Sequence, residues 1–166
     1  MSHEIAAPVP PGEMQRFLAS LLYEPEAFLI DAVQRLDGDD RRVEATMDTA
    51  RPLPFSALQR ESPIHPRHVA AAELLMLTGN LGFLHAWFFH GCRFDEGWAG
   101  FGNRIHRADF KSLARIGPPL RLTSRETRSR TGPRRVMLRM EFEFFQHDTL
   151  VYRGDQSAIF FRERTL

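Results

Sequence analysis

The chain has 166 residues, 43% of them hydrophobic, which is enough for one domain with a substantial core and too many for a disordered polypeptide. Its formal net charge of +1 argues against a general nucleic-acid or membrane-surface binder. The single cysteine, Cys92, excludes an internal disulfide framework and a multi-thiolate zinc site, fits a reducing compartment, and reads as a small apolar filler.

Residues 1–12 are rich in Pro and Ala and are expected to fray, leaving a single domain over residues 13–166. The opening MSHEIAAPVPPGE has neither the basic start nor the apolar stretch of a secretory signal, so a cytoplasmic location is expected. From Glu13 to Leu22 the apolar residues Met14, Phe17, Leu18, Leu21 and Leu22 fall at helical spacing. Pro11 and Gly12 stand where such a helix begins, and it is expected to cap one end of a sheet. FLIDAVQRL from Phe28 and RVEATMDT from Arg42 read as two strands joined by the acidic turn from Asp37 to Asp40. The four prolines of ARPLPFSALQRESPIHP rule out a regular strand there and leave a long loop, a place where function concentrates.

The next segment, Val69 to Phe89, carries Glu73, Asn80 and His85 and is otherwise mostly Ala, Leu, Phe, Met and Gly. A helix apolar on nearly every side is a buried one. Its length approaches the roughly 20 residues of a membrane span. Glu73, His85, Gly79 and Gly82 interrupt it, however, and mean hydropathy is −0.33 overall, so no membrane span is expected.

Gly91 to Gly102, with Phe94, Trp98 and Phe101, reads as a flap or irregular crossover. Four strands follow, Arg104 to Lys111, Leu120 to Ser129, Arg135 to Gln146 and Thr149 to Arg162, separated by the turn sequences IGPP, RTGPR and QHDT. Met137, Arg139, Glu141 and Glu143 alternate with Leu138, Met140, Phe142 and Phe144, as in a strand with one wet and one buried face. Helix, two strands, long helix and antiparallel meander make an α+β chain.

Two stretches carry a resemblance. FLIDA at Phe28 to Ala32 resembles the YLIDA of the FcoT-type fatty acyl-CoA thioesterases, and HVAAAELLMLTGNLGF at His68 to Phe83 resembles their H-x-N-A-V-E-L-x-L-x-x-N-Q-L-A-Y helix. The resemblance implies a hot-dog fold, an antiparallel sheet wrapped around a long central helix, and acyl-thioester chemistry without a cofactor. The chain departs from the pattern at Ala70, where the family carries Asn, and at Asn80, where Gln is expected. The hot-dog 3-hydroxyacyl-ACP dehydratases are a poorer match, because HPRH is followed by alanines rather than by glycine motifs.

Hydrolysis of a thioester needs a base, a nucleophile and donors aimed at the oxyanion, and the start of a buried helix offers unpaired N–H groups and a positive dipole end. Glu73 is therefore the expected base or nucleophile, and His68 the expected proton carrier or orienting group. Ala70 and Ala71 are the expected backbone donors, and His65, Asn80, Phe83 and Trp87 the expected substrate contacts. In a dehydratase His68 would take the α-proton and Glu73 would protonate the leaving hydroxyl. A third possibility is an acyl-binding protein without catalysis. Five residues on an ideal helix turn through about 140°, so His68 and Glu73 share one pocket only if His68 precedes the first turn or a second subunit completes each site.

His65 and His68 also invite a zinc reading, with His85, His90 and Glu73 as further ligands, but no HExxH or Cys-rich spacing supports it. Arginines 121, 125, 128, 130, 134 and 135 gather on one hairpin, suited to the phosphates of CoA or to the acidic face of an acyl carrier protein. A single such sheet leaves a long free edge, so at least a homodimer is expected.

Overall fold

The computed structural model describes residues 11–162. Helix α1 (Pro11–Ala19) precedes strands β1 (Ala32–Asp37) and β2 (Arg42–Met47), the central helix α2 (Ala71–His90), and strands β3 (Trp98–Phe110), β4 (Leu120–Gly132), β5 (Arg135–Gln146) and β6 (Thr149–Arg162). Short 3-10 turns lie at Pro25–Ala27, Ser56–Leu58 and Phe94–Glu96. The strands form one antiparallel sheet in the order β1-β2-β4-β5-β6-β3. This sheet curls around α2, which is the hot-dog architecture.

Because α2 is apolar on every side, one surface cannot cover it. The sheet supplies the first cover, with Val43, Met47, Leu122, Leu138, Phe142 and Phe144 buried alongside Leu74, Leu77, Leu81 and Leu84 of the helix. The inward and outward alternation expected along β5 is observed residue by residue. The second cover is α1. Its fully buried Phe17 sits 5.5 Å from Trp87 and 5.6 Å from Phe28, centroid to centroid. Trp87 Nε1 donates to Glu13 Oε1 at 2.8 Å, so α1 lies along the C-terminal half of α2 instead of capping the sheet. Helix α2 stops at Gly91, whose φ of 64° is the left-handed conformation that glycine adopts without strain.

Helix α1 ends at Ala19 and β4 runs on to Gly132, and two further differences from the sequence reading have a tertiary reason. The first strand begins at Ala32 and not at Phe28, because the Leu29 N–H donates to Asn80 Oδ1 at 2.8 Å. The backbone there bonds to the helix, and pairing with β2 starts only at Asp31, whose N–H reaches Thr46 O at 2.9 Å. The aromatic, glycine-rich segment also yields strand from Trp98 onward, so it is no flap over that half. A Cβ at Gly100 would collide with the Phe160 ring on the neighbouring strand, which explains why a glycine stands there.

Asn80 joins α2 to the chain between α1 and β1: besides accepting from Leu29, its Nδ2 donates to Ala27 O at 3.2 Å, and the residue is buried. Replacing Asn80 by Ala strands a buried N–H and a buried carbonyl, and should cost about 1–3 kcal/mol in urea unfolding. An unchanged midpoint would show that this amide does not hold the segment.

Candidate active site

The residue at the N-cap of α2, Ala70, has extended dihedrals (φ −68°, ψ 152°) and no side-chain acceptor with which to cap the helix. Two other residues supply the cap. The Ala70 N–H lies 2.9 Å from Ser56 Oγ and 2.8 Å from Glu73 Oε2. Glu73 Oε1 accepts from the main-chain N–H groups of Phe55 and Ser56, both at 2.8 Å, and the Ser56 hydroxyl donates to Oε2. A carboxylate offers about four acceptor positions, and here four donors reach it. With 0% of its surface exposed, Glu73 has neither a free lone pair nor contact with solvent. The expectation that it serves as base or nucleophile therefore meets a carboxylate already saturated. Its partners come from a loop that spacing within the helix could not reveal.

His68 lies before the first helical turn, so the angular conflict with Glu73 does not arise. Its N–H donates to Gln59 Oε1 at 3.0 Å, and it bridges Arg115 across the sheet end. Its Nδ1 sits 2.8 Å from Pro66 O. A carbonyl only accepts, so Nδ1 carries the proton and the neutral ring keeps its lone pair on Nε2. His68 lines a cavity of about 940 Å³ together with Arg67, Arg115, Ile116, His147 and Val151. His65 occupies an exposed turn beside it, with ring centroids 5.2 Å apart, and lies outside that cavity wall. The two arginines, far apart in sequence, were not legible as a pair; the bridge between His68 and Arg115 brings them together.

Ala71 and Ala72 open the helix, exposed, and among the described residues no acceptor takes their N–H groups. From there Ala72, Met76, Gly79 and Phe83 follow one stripe at spacings of three and four. The stripe ends in a second cavity, of about 250 Å³, walled by Met76, Gly79, Phe83, Gly100, Gln156 and Phe160 among others. Phe83 is thus where a substrate contact was expected. Asn80 borders the same cavity, but its amide is occupied by the backbone at Ala27 and Leu29. Trp87 is fully buried beneath α1 with Arg93 stacked 4.6 Å from its ring, and it lines neither of these two cavities. Burial pushes the Cys92 thiol up to about 12, consistent with a filler.

The zinc reading is not supported by position. His65 and His68 lie at the start of α2, while His85 and His90 lie toward its other end, and no metal-holding group of three occurs among the described residues. The arginine-rich hairpin is also at that other end, where Thr131 Oγ1 lies 3.4 Å from His90 Nδ1. Arg125 pairs with Asp40, but Arg128, Arg130, Arg134 and Arg135 have no ion-pair partner among the described residues.

One polar cluster escaped the sequence reading. His85, fully buried, contacts Ser124 Oγ through Nε2 at 2.8 Å and leaves Nδ1 without a hydrogen-bond partner, 3.9 Å from Glu126 Oε2. His90 Nε2 meets the same oxygen at 2.7 Å. Desolvation pushes His85 down to about 4, only partly opposed by the Glu126 charge. Desolvation also acts to raise Glu126, but hydrogen bonds from His90 and Ser129 and the nearby histidines outweigh it, so its carboxyl is held below the usual range.

No known protein-family description matches this sequence, and no curated protein matches it. Solved structures do match in shape. A phenylacetic acid degradation-related protein of Ralstonia eutropha JMP134, described as a candidate thioesterase, is 14% identical with a TM-score of 0.60, covering 89% of this chain and 98% of its own. A hypothetical thioesterase of Streptococcus pneumoniae TIGR4, solved with coenzyme A, is 12% identical with a TM-score of 0.58, covering 92% and 99%. A mutant thioesterase of Pseudomonas aeruginosa is 12% identical with a TM-score of 0.59, covering 96% and 100%. At such identities the likeness is one of fold: this chain is a hot-dog-fold protein.

The His85 cluster predicts an acid limb of stability. The unfolded chain protonates this histidine below about pH 6.5, but the folded chain only near the depressed value, so stability falls as pH falls across that window, by up to about 3 kcal/mol. Glu126, also held low in the fold, acts with the same sign, but its contribution is lost only at lower pH, through the carboxylate range. His85→Gln should therefore flatten the drop in urea midpoint between about pH 7 and pH 5. An identical slope in wild type and variant would rule His85 out as its source.

Proposed function

We propose that this protein hydrolyses an acyl thioester carried on CoA or an acyl carrier protein, with the thioester at the start of α2. The single observation that carries this reading is the helix start itself. The unoccupied N–H groups of Ala71 and Ala72 follow within four residues a cavity-lining histidine whose Nδ1–H is tied to Pro66 O, which leaves Nε2 to act as the base. The shared fold with proteins described as thioesterases, one of them solved with coenzyme A, supports the same class of substrate.

In this reading a water molecule attacks the thioester carbonyl carbon while His68 Nε2 takes its proton. The carbonyl oxygen gains negative charge, stabilised by the Ala71 and Ala72 N–H groups and the positive end of the helix dipole. Collapse of the tetrahedral adduct breaks the C–S bond, and the thiolate recovers the proton from His68, giving acid and thiol. Glu73 is a positioning residue that holds the loop, the N-cap and hence the donors in place. The acyl group, a medium or long chain, follows the stripe of Ala72, Met76 and Gly79 into the cavity at Phe83. The thiol arm runs the other way, toward Arg67 and Arg115, which suit a phosphate.

A second copy of the chain completes this arrangement. The longer of the two edges of the sheet is β3, a 13-residue strand whose Phe101, Ile105 and Phe110 are 61%, 54% and 49% exposed. A long exposed edge strand offers its unpaired backbone groups to another strand, and β3 also borders the acyl cavity through Gly100 to Gly102. An acyl-thioester-binding protein without catalysis is the second reading, favoured by the saturation of Glu73, the one carboxylate on α2.

Thiol release from a panel of acyl-CoAs, butanoyl to stearoyl with 2-enoyl and 3-hydroxy forms, tests the proposal. His68→Ala should lower kcat by roughly 10² to 10⁴ without a loss of Tm, whereas Glu73→Gln should lose about 2 kcal/mol or more of stability. Binding without thiol release in the wild type would install the second reading, and interconversion of 3-hydroxyacyl and 2-enoyl thioesters would replace hydrolysis with dehydration. Sedimentation should show a dimer that Ile105→Arg converts to monomer; an unaltered dimer would move the interface off β3.

A further inference from the structure

The cavity beside Phe83 is mostly apolar, yet a chain of polar side chains runs beneath it. Thr78 Oγ1 lies 2.7 Å from Leu75 O and 2.9 Å from the Gln156 amide, and the other end of that amide lies 3.0 Å from the Tyr152 hydroxyl. Two oxygens 2.7 Å apart need a proton between them, and a carbonyl has none, so the single Thr78 proton goes to Leu75 O. The atom of Gln156 facing Thr78 must then be the nitrogen. Turning the amide so that Nε2 donates to Thr78 Oγ1 leaves Oε1 to accept from Tyr152, and every proton in the chain has an acceptor.

The Tyr152 hydroxyl is held in that position by the absence of a side chain at Gly154, where a Cβ would lie 2.5 Å from it. Tyr152 is fully buried, and desolvation raises its hydroxyl above the usual value, keeping it a neutral donor.

A glutamine amide has two N–H donors and two lone pairs, so one of each remains on Gln156. Of the other polar groups of the wall, Asn80 is buried with both ends of its amide on backbone groups, Ser157 Oγ meets His106 Nε2 at 2.6 Å, and the exposed Tyr23 packs its ring against Phe83, whereas Gln156 is only half-buried. Thr78 stands seven residues beyond Ala71, about 10 Å along the axis, too far for Gln156 to reach a thioester bound at the helix start. On the acyl-thioester reading, half-buried Gln156 on the cavity wall is level with the body of the acyl group.

We infer that Gln156 is a specificity-determining residue that selects acyl chains carrying a hydroxyl away from the thioester, which uses the remaining N–H and lone pair together. The inference rests on the acyl-thioester reading above. An unsubstituted chain would leave both groups of the amide unpaired in an apolar pocket, and this is the physical source of the discrimination.

Isothermal titration with two hydrolysis-proof thioethers, S-octyl-CoA and S-(ω-hydroxyoctyl)-CoA, separates this from the parent proposal, with thiol release from octanoyl-CoA measured in parallel. Wild type should bind the hydroxylated analogue about tenfold more tightly, the equivalent of one good hydrogen bond. Gln156→Met should abolish that preference while retaining the octyl analogue. Thr78→Val, which keeps shape and removes only the group that orients the amide, should reduce it, and guards against a misfolded Gln156 variant. Equal affinities in wild type, or a preference that survives Gln156→Met, overturn the inference even if thiol release is intact. Failure of both analogues to bind, with no thiol release, overturns it together with the thioester reading.

Discussion

A buried carboxylate is tolerated only where donors replace its lost water, and at Glu73 four of them do: the N–H groups of Phe55, Ser56 and Ala70 and the Ser56 hydroxyl. These contacts tie the long loop before α2 to the helix start and cap a helix whose own N-cap residue is alanine. The position of His68, three residues before the helix, and the availability of the Ala71 and Ala72 N–H groups both follow from that tie. Removing one partner from such a network leaves the rest buried and unpaired, so the carboxylate and the loop stand or fall together.

The second constraint is the apolar circumference of α2. The sheet covers one side and α1 with Phe17 another, while the stripe through Met76, Gly79 and Phe83 remains open toward the β3 edge. An uncovered apolar stripe that begins at unpaired backbone donors is suited to an acyl chain whose polar head stays at the helix start. Glycines at positions 79, 82, 100 and 102 border the same space and keep it open. The cavity thus arises from the small residues of two elements that are neighbours only in the folded chain.

Polar chemistry sits at both ends of this apolar axis for different reasons. At the start, groups are left accessible: a histidine nitrogen, two arginines and two backbone donors. At the far end His85, His90 and Glu126 are packed away from water, and their consequence is the pH dependence of folding. The arginine-rich hairpin tip shares that far end, so in one protomer it lies away from the groups that would handle a thioester.

Much of this was legible in the sequence because it depends on local pattern. The length and all-round apolarity of α2, the alternation along β5, the turns between the last three strands and the likeness around FLIDA and His68 to Phe83 sufficed for an α+β hot-dog fold. His68 and Phe83 were also found as cavity residues. The roles of side chains were another matter, since a role depends on which partner arrives from elsewhere in the chain. Ser56 saturates Glu73, Leu29 takes the amide of Asn80, Phe17 and Glu13 cover Trp87, and Arg115 joins His68. Pattern along one helix determines what must be buried; only tertiary contact decides whether a buried polar group is left free to act or is occupied in holding the fold.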